Sequence, residues 1–112
     1  MPRWLLSLAA LAAVLAASPA RSDDADLRRQ AAEALRKATD FFTGHVSCEG
    51  GYLWRYSDDL SRREGEGKAS ETTVWVQPPG TPSVGLALLN AYHNTGEDYL
   101  LEAARQAGYC LV

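Results

Sequence analysis

From Gly50 to Gly85 the chain reads GGYLWRYSDDLSRREGEGKASETTVWVQPPGTPSVG, a long irregular stretch held between helical segments. A connection beyond about 12–15 residues without regular structure is uncommon in a compact domain unless it binds, covers or catalyses something. The chain is thereby constrained to a helical frame that must carry a large loop. Within that loop Tyr52, Trp54, Tyr56 and Trp75 alternate with Arg55, Arg62, Arg63 and Lys68, a mixture suited to a ring-shaped, acidic ligand.

The frame is legible from periodicity. Between Asp23 and Thr43, Leu27, Ala31, Leu35, Ala38 and Phe42 recur at steps of three and four, which predicts an amphipathic helix. Asp23, Asp24 and Asp26 suit its N-terminal end, and Gly44 is the expected stop. Thr81-Pro82 predicts a cap followed by the first position of a second helix, running through Val84, Leu88, Ala91 and Tyr92 to Thr95-Gly96. A third helix is expected from Glu97 or Asp98, carrying Tyr99, Leu100, Ala103, Ala104, Ala107 and Leu111. The tight turn at Asn94-Thr95-Gly96 makes the last two an antiparallel helical hairpin.

Glu33–Ala38 aligns with Glu102–Ala107, and an aromatic follows in both, Phe41 against Tyr109. Stacked helix pairs would produce such a repeat, and so would a chance match between alanine-rich helices. The last residues, Gly108 to Val112, are apolar and carry no cap, so the expectation is the N-terminal piece of a longer protein. A small three-helix domain is the alternative.

Residues 1–22 read as a signal peptide: Arg3 is the basic start, Trp4 to Ala17 the apolar run, and Ser18-Pro19-Ala20 the small residues of a cleavage site. The apolar run falls short of the roughly 20 residues of a membrane span. A secreted or periplasmic product follows, free of the membrane after cleavage, with one domain segment over 23–112. The formal net charge of −3 argues against a nucleic-acid partner. The two cysteines, Cys48 and Cys110, could close a large loop if their geometry allowed it, but the sequence favours two separate thiols. With His45 and His93 they match no zinc spacing.

Tyr52-Leu53-Trp54-Arg55-Tyr56 alternates as a strand does after the flexible Gly50-Gly51, and predicts a short β-hairpin. Thr72–Gln77, β-branched and aromatic, is its expected partner, before Pro78-Pro79-Gly80 breaks the strand. The candidate ligand-facing residues are Tyr52, Trp54, Arg55, Arg62, Arg63 and Trp75. Trp75, flanked by valines, also suits a core position. Asp58-Asp59 and Glu64-Gly65-Glu66 offer oxygen donors of the kind calcium takes, yet lack EF-hand spacing, so none is assigned as a metal ligand. No hydrolase, zinc-protease or phosphate-loop motif is present, and no catalytic residue is assigned.

The run Gly50-Gly51-Tyr52, Trp54-Arg55-Tyr56-Ser57, Asp59-Leu60, Thr73-Val74-Trp75-Val76-Gln77-Pro78-Pro79-Gly80-Thr81-Pro82, then Gly85, Ala87, Leu88, Ala91-Tyr92, Thr95-Gly96 and Tyr99-Leu100, resembles the N-terminal part of pectate lyases of polysaccharide lyase family 10. The resemblance implies a mainly α fold: the opening of an α/α barrel, a toroid of helical hairpins, with a long aromatic loop. It implies a calcium-dependent monomer acting on acidic pectate by β-elimination, with an arginine base and calcium-holding aspartates downstream of the matched region. A non-catalytic carbohydrate-binding helical module, or another α/α-barrel carbohydrate-active enzyme, is the competing expectation.

Overall fold

A computed structural model describes residues 19–112. The expected leader lies outside the described residues except at its C-terminal end, where α1 (Pro19–Phe41) begins ahead of the predicted mature start at Asp23. Among the described residues no helix is long and apolar enough to cross a membrane.

Helix α1 does not stop at Gly44. It widens into a π-helical turn over Phe42–Val46, closed by the Ser47 N–H donating to the Phe42 carbonyl at 2.9 Å. The cause lies in three hydroxyls spaced four apart. Thr39, Thr43 and Ser47 each donate to the carbonyl four residues back, at 2.9 Å in all three cases. Such back-bonding competes with the regular helical ladder and bends helices. Gly44 is then carried inside the turn rather than ending it.

The second and third helices fall where periodicity places them. Helix α2 spans Thr81–Thr95 and α3 spans Asp98–Cys110. Gly96 joins them with a left-handed φ of 73°, and its N–H returns to the Tyr92 carbonyl at 2.7 Å. A glycine is suited to that position because it carries no Cβ to clash there. The two helices pack as an antiparallel hairpin through Leu100, Ala103 and Ala107 of α3, all buried. Gly85 of α2 brings the backbones close, since a Cβ there would lie 3.2 Å from the Ala107 Cβ.

The repeat between α1 and α3 does not extend to burial. Ala103 and Ala107 are buried, whereas their counterparts Ala34 and Ala38 are exposed, as is Leu27 at 65%. Among the α1 residues whose burial is described, only Leu35 and Thr39 turn inward to an appreciable degree. The rest of its apolar stripe is open among the described residues.

The start of helix α2 departs from expectation by one residue. Gly80 is the cap, Thr81 is the first helical residue, and the Thr81 side chain caps nothing. It is instead fully buried, and its hydroxyl accepts the Tyr52 N–H at 2.9 Å while donating to the Tyr52 carbonyl at 3.2 Å. The Trp75 N–H also reaches that carbonyl, at 2.9 Å, and the Thr81 N–H reaches the Trp75 carbonyl at 3.0 Å. These bonds fasten both ends of the loop to the first turn of α2. The small core accordingly gathers Val46 from the π-helical turn and Tyr52 and Leu53 from the start of the loop with the α3 residues above.

Candidate functional site

The loop contains a hairpin, but its strands are not the predicted pair. Strand β1 (Arg55–Tyr56) pairs antiparallel with β2 (Arg63–Glu64), in the register Arg55 opposite Glu64 and Tyr56 opposite Arg63. Thr72–Gln77 forms no strand with it; its backbone bond to that segment is the one from Trp75 to Tyr52 described above. The local turn chemistry decides the pairing. Asp59 accepts the Ser57 hydroxyl at 2.6 Å, the Ser61 hydroxyl at 2.7 Å and the Ser61 N–H at 3.0 Å. The Ser57 N–H closes onto the Arg62 carbonyl at 3.0 Å, and Leu60 at the tip takes a left-handed φ of 59°. Side chains that bond nearby backbone in this way favour turns.

The Ser57 hydroxyl, then the Ser61 groups, hold the Asp59 carboxyl down at about 2. Its folded value is below the ordinary one, so its contribution to the tip is fully present above about pH 4 and is lost as pH falls through about 2. Amide exchange at Ser61 and Arg62 is expected to quicken across that window, and Asp59→Asn should abolish the transition.

The six predicted ligand-facing residues separate into three groups. Tyr52 and Arg63 are structural. The Tyr52 ring is 2% exposed and lies 6.1 Å from the Phe42 ring, so its flat face is not offered to a ligand. Burial pushes its phenol up. Arg63 is half-buried, with its guanidinium turned to the carbonyls of Leu60 at 3.3 Å and Val46 at 3.5 Å and over the Tyr56 ring at 5.8 Å. The strand-like alternation carries no sign that position 63 turns inward.

Trp54 and Trp75 form a half-exposed pair, edge to face at 5.8 Å and 66°. Trp75 lies on Gly65, where a Cβ would come within 2.5 Å of its ring, and the indole N–H of Trp54 reaches toward the Gln77 carbonyl at 3.4 Å. Gly65 is therefore a necessary part of the platform. A flanking Glu-Gly-Glu run gave little reason to single it out.

Arg55 and Arg62 are exposed and come together. With Tyr56, Ser57 and Glu64 they line an open cleft of about 220 Å³. Arg55 is paired with Glu64 across the strands at 2.9 Å, a contact in which the arginine is 73% exposed. Surface pairs of that kind contribute roughly 0–1 kcal/mol and exchange readily for another carboxylate. Among the described residues the Arg62 guanidinium has no carboxylate partner. The cleft can thus accept one carboxylate at Arg62 and a second at Arg55 by displacing Glu64.

Among the described residues no three His, Cys, Asp or Glu side chains converge. Asp59 accepts three hydrogen bonds and Glu64 is paired with Arg55. Comparison with family models, with curated proteins and with solved structures finds no match for this chain.

Proposed function

We propose that this chain is the N-terminal segment of a pectate lyase-like enzyme of α/α-toroid architecture, secreted or periplasmic and monomeric, that cleaves polygalacturonate by β-elimination. The observation that carries the reading is the cleft in which Arg55 and Arg62 stand together, on a loop that also carries the half-exposed Trp54–Trp75 pair. Consecutive uronate units present carboxylates at intervals and sugar faces between them. Two guanidinium groups can meet the carboxylates in forked hydrogen bonds, and the indole can stack on a ring.

In β-elimination a base removes the proton beside a carboxylate, and cations stabilise the charge that develops before the glycosidic oxygen leaves. The role proposed for this segment is to bind and orient the acidic chain. The base and the calcium ligands belong, on this reading, to helices beyond it. Support for further helices comes from α2 and α3. Their outer side presents an apolar groove of about 440 Å³ that includes Gly85, Leu86, Leu89, Leu101, Ala104 and Leu111, the kind of face another helix pair covers in a stacked array.

Arg62→Gln is expected to weaken binding of an oligogalacturonate about fivefold, and Trp54→Ala about three- to tenfold. Arg63→Gln should instead lower stability and leave affinity nearly unchanged. Calorimetric titration beside thermal melts checks the division; equal losses of affinity at positions 62 and 63 would place the cleft wrongly. For the activity, the full-length protein should generate an ultraviolet-absorbing unsaturated product from polygalacturonate with calcium. Retention on pectate without that product would favour a non-catalytic binding module. A glycoside hydrolase would require two carboxylates at catalytic separation, and Asp59 in the adjacent Asp58-Asp59 pair is already held by Ser57 and Ser61.

A further inference from the structure

The turn that opens the loop places both cysteines on one side of it. Cys48-Glu49-Gly50-Gly51 has positive φ at both central residues, 51° at Glu49 and 80° at Gly50, as a two-residue hairpin turn of type I′ requires. Its ends exchange both backbone hydrogen bonds: the Cys48 N–H donates to the Gly51 carbonyl at 3.0 Å and the Gly51 N–H to the Cys48 carbonyl at 2.7 Å. Residues paired in this way direct their Cβ bonds to the same face, with Cβ positions about 5 Å apart.

On that face lies the end of α3. A Cβ built on Gly51 would lie 2.6 Å from the Cys110 Sγ, so the sulfur occupies the space that a side chain at position 51 would fill. One turn earlier in α3, the Gln106 carbonyl abuts Gly50, where a Cβ would come within contact of its oxygen. The turn is thus seated on the last turns of the helix. By the triangle of these separations, the Cys110 Sγ lies within about 3–8 Å of the Cys48 Cβ. A disulfide needs Cβ atoms about 3.5–4.5 Å apart, a distance the backbone sets, so closure requires the Cys110 Sγ to lie in the near part of that range. Both residues are half-buried free thiols, accessible to a small reagent. Burial first, and then the neighbouring Cys48 and Glu49, push the Cys110 thiol up, as expected of a thiol that shares its surroundings with a second one.

We propose that Cys48 and Cys110 are a redox pair that closes to a disulfide and staples the start of the arginine- and tryptophan-bearing loop to the end of α3. The oxidant is a small or protein disulfide. One protein thiolate attacks it, forming a mixed disulfide and releasing one thiol. The second protein thiolate then attacks the protein sulfur of that mixed disulfide, forming the Cys48–Cys110 bond and releasing the second thiol. The two cysteines lose two electrons and two protons, and the reagent disulfide gains both. Unlike the lyase reading, this inference needs no catalytic residue and is tested without an activity.

The test uses the chain purified without reductant and equilibrated in mixtures of oxidised and reduced glutathione. After alkylation under denaturing conditions, the oxidised protein is expected to show no free thiol per monomer, a mass lower by two hydrogens, and a cross-linked peptide containing both cysteines. Reduction should lower the melting temperature by roughly 10 °C or more, because the bond closes a long loop. Cys48→Ser and Cys110→Ser should each retain one thiol and melt independently of reductant. Two free thiols per chain at the oxidising end of the series, or cross-links found only between chains, would overturn the pairing.

Discussion

Replacing Tyr52 by alanine is expected to lower the melting temperature by more than about 10 °C, the largest loss at any single loop position. The ring is 2% exposed and packs against Phe42, so truncation leaves a cavity between the loop and the end of α1. Removing a buried aromatic costs about 3–5 kcal/mol, and in a domain of this size each kcal/mol shifts the melting temperature by about 4–8 °C. Tyr52→Phe keeps the ring and forfeits only the hydroxyl, with an expected loss of about 1 kcal/mol. Thermal melts of the two variants separate packing from hydrogen bonding. A Tyr52→Ala protein that melts with the parent would mean that the ring is a surface feature, and would return Tyr52 to the ligand-facing set.

That prediction runs against the simplest reading of the sequence, and the reason is physical. Alternation assigns residues to faces only when a strand is long enough to define a sheet. Here each strand has two residues, and Tyr52 lies before the first of them. Its burial is set by Thr81, twenty-nine positions away, through bonds no local pattern announces. The helices differ because their signals are local. Period, Gly96 and the acidic start of α3 all fall within the elements they define, and α2 and α3 were legible almost to the residue. The end of α1 was not. The hydroxyls of Thr39, Thr43 and Ser47 form an evenly spaced series, but their effect on the helix outweighs the stop signal of Gly44 only through the bonds they make.

The candidate site divides in the same way. Arg55 and Arg62 are exposed, because nothing nearby in sequence buries them. Arg63 looked equivalent to Arg62, yet neighbours in a strand face opposite sides, and the two-residue register alone decides which of them turns in. The pairing of Arg55 with Glu64 depends on that register as well. A hairpin closed by Thr72–Gln77 would have left Glu64 elsewhere and Arg55 unpaired. The serines around Asp59 therefore fix which arginines reach the cleft.

Thr81→Val tests the connection on which this whole arrangement rests. Valine has nearly the shape of threonine, so the cavity term is small and the hydroxyl alone is removed. The Tyr52 carbonyl would keep the Trp75 N–H, but the Tyr52 N–H would lose its partner at a site where Thr81 is 0% exposed. A buried donor left unsatisfied costs about 1–3 kcal/mol, so a fall of about 4 °C or more in melting temperature is expected. Thr81→Ser preserves both hydrogen bonds and removes one methyl, at about 1 kcal/mol. Hydrogen exchange gives the sharper reading: the amide of Tyr52 should lose protection in the valine variant and keep it in the serine variant. Helix α2 itself should be unaffected in both, because Thr81 does not cap it. If valine and serine proved equivalent, the loop would be held by packing rather than by the Thr81 hydroxyl, and the position of the two tryptophans would have to depend on Gly65 and the strand register instead.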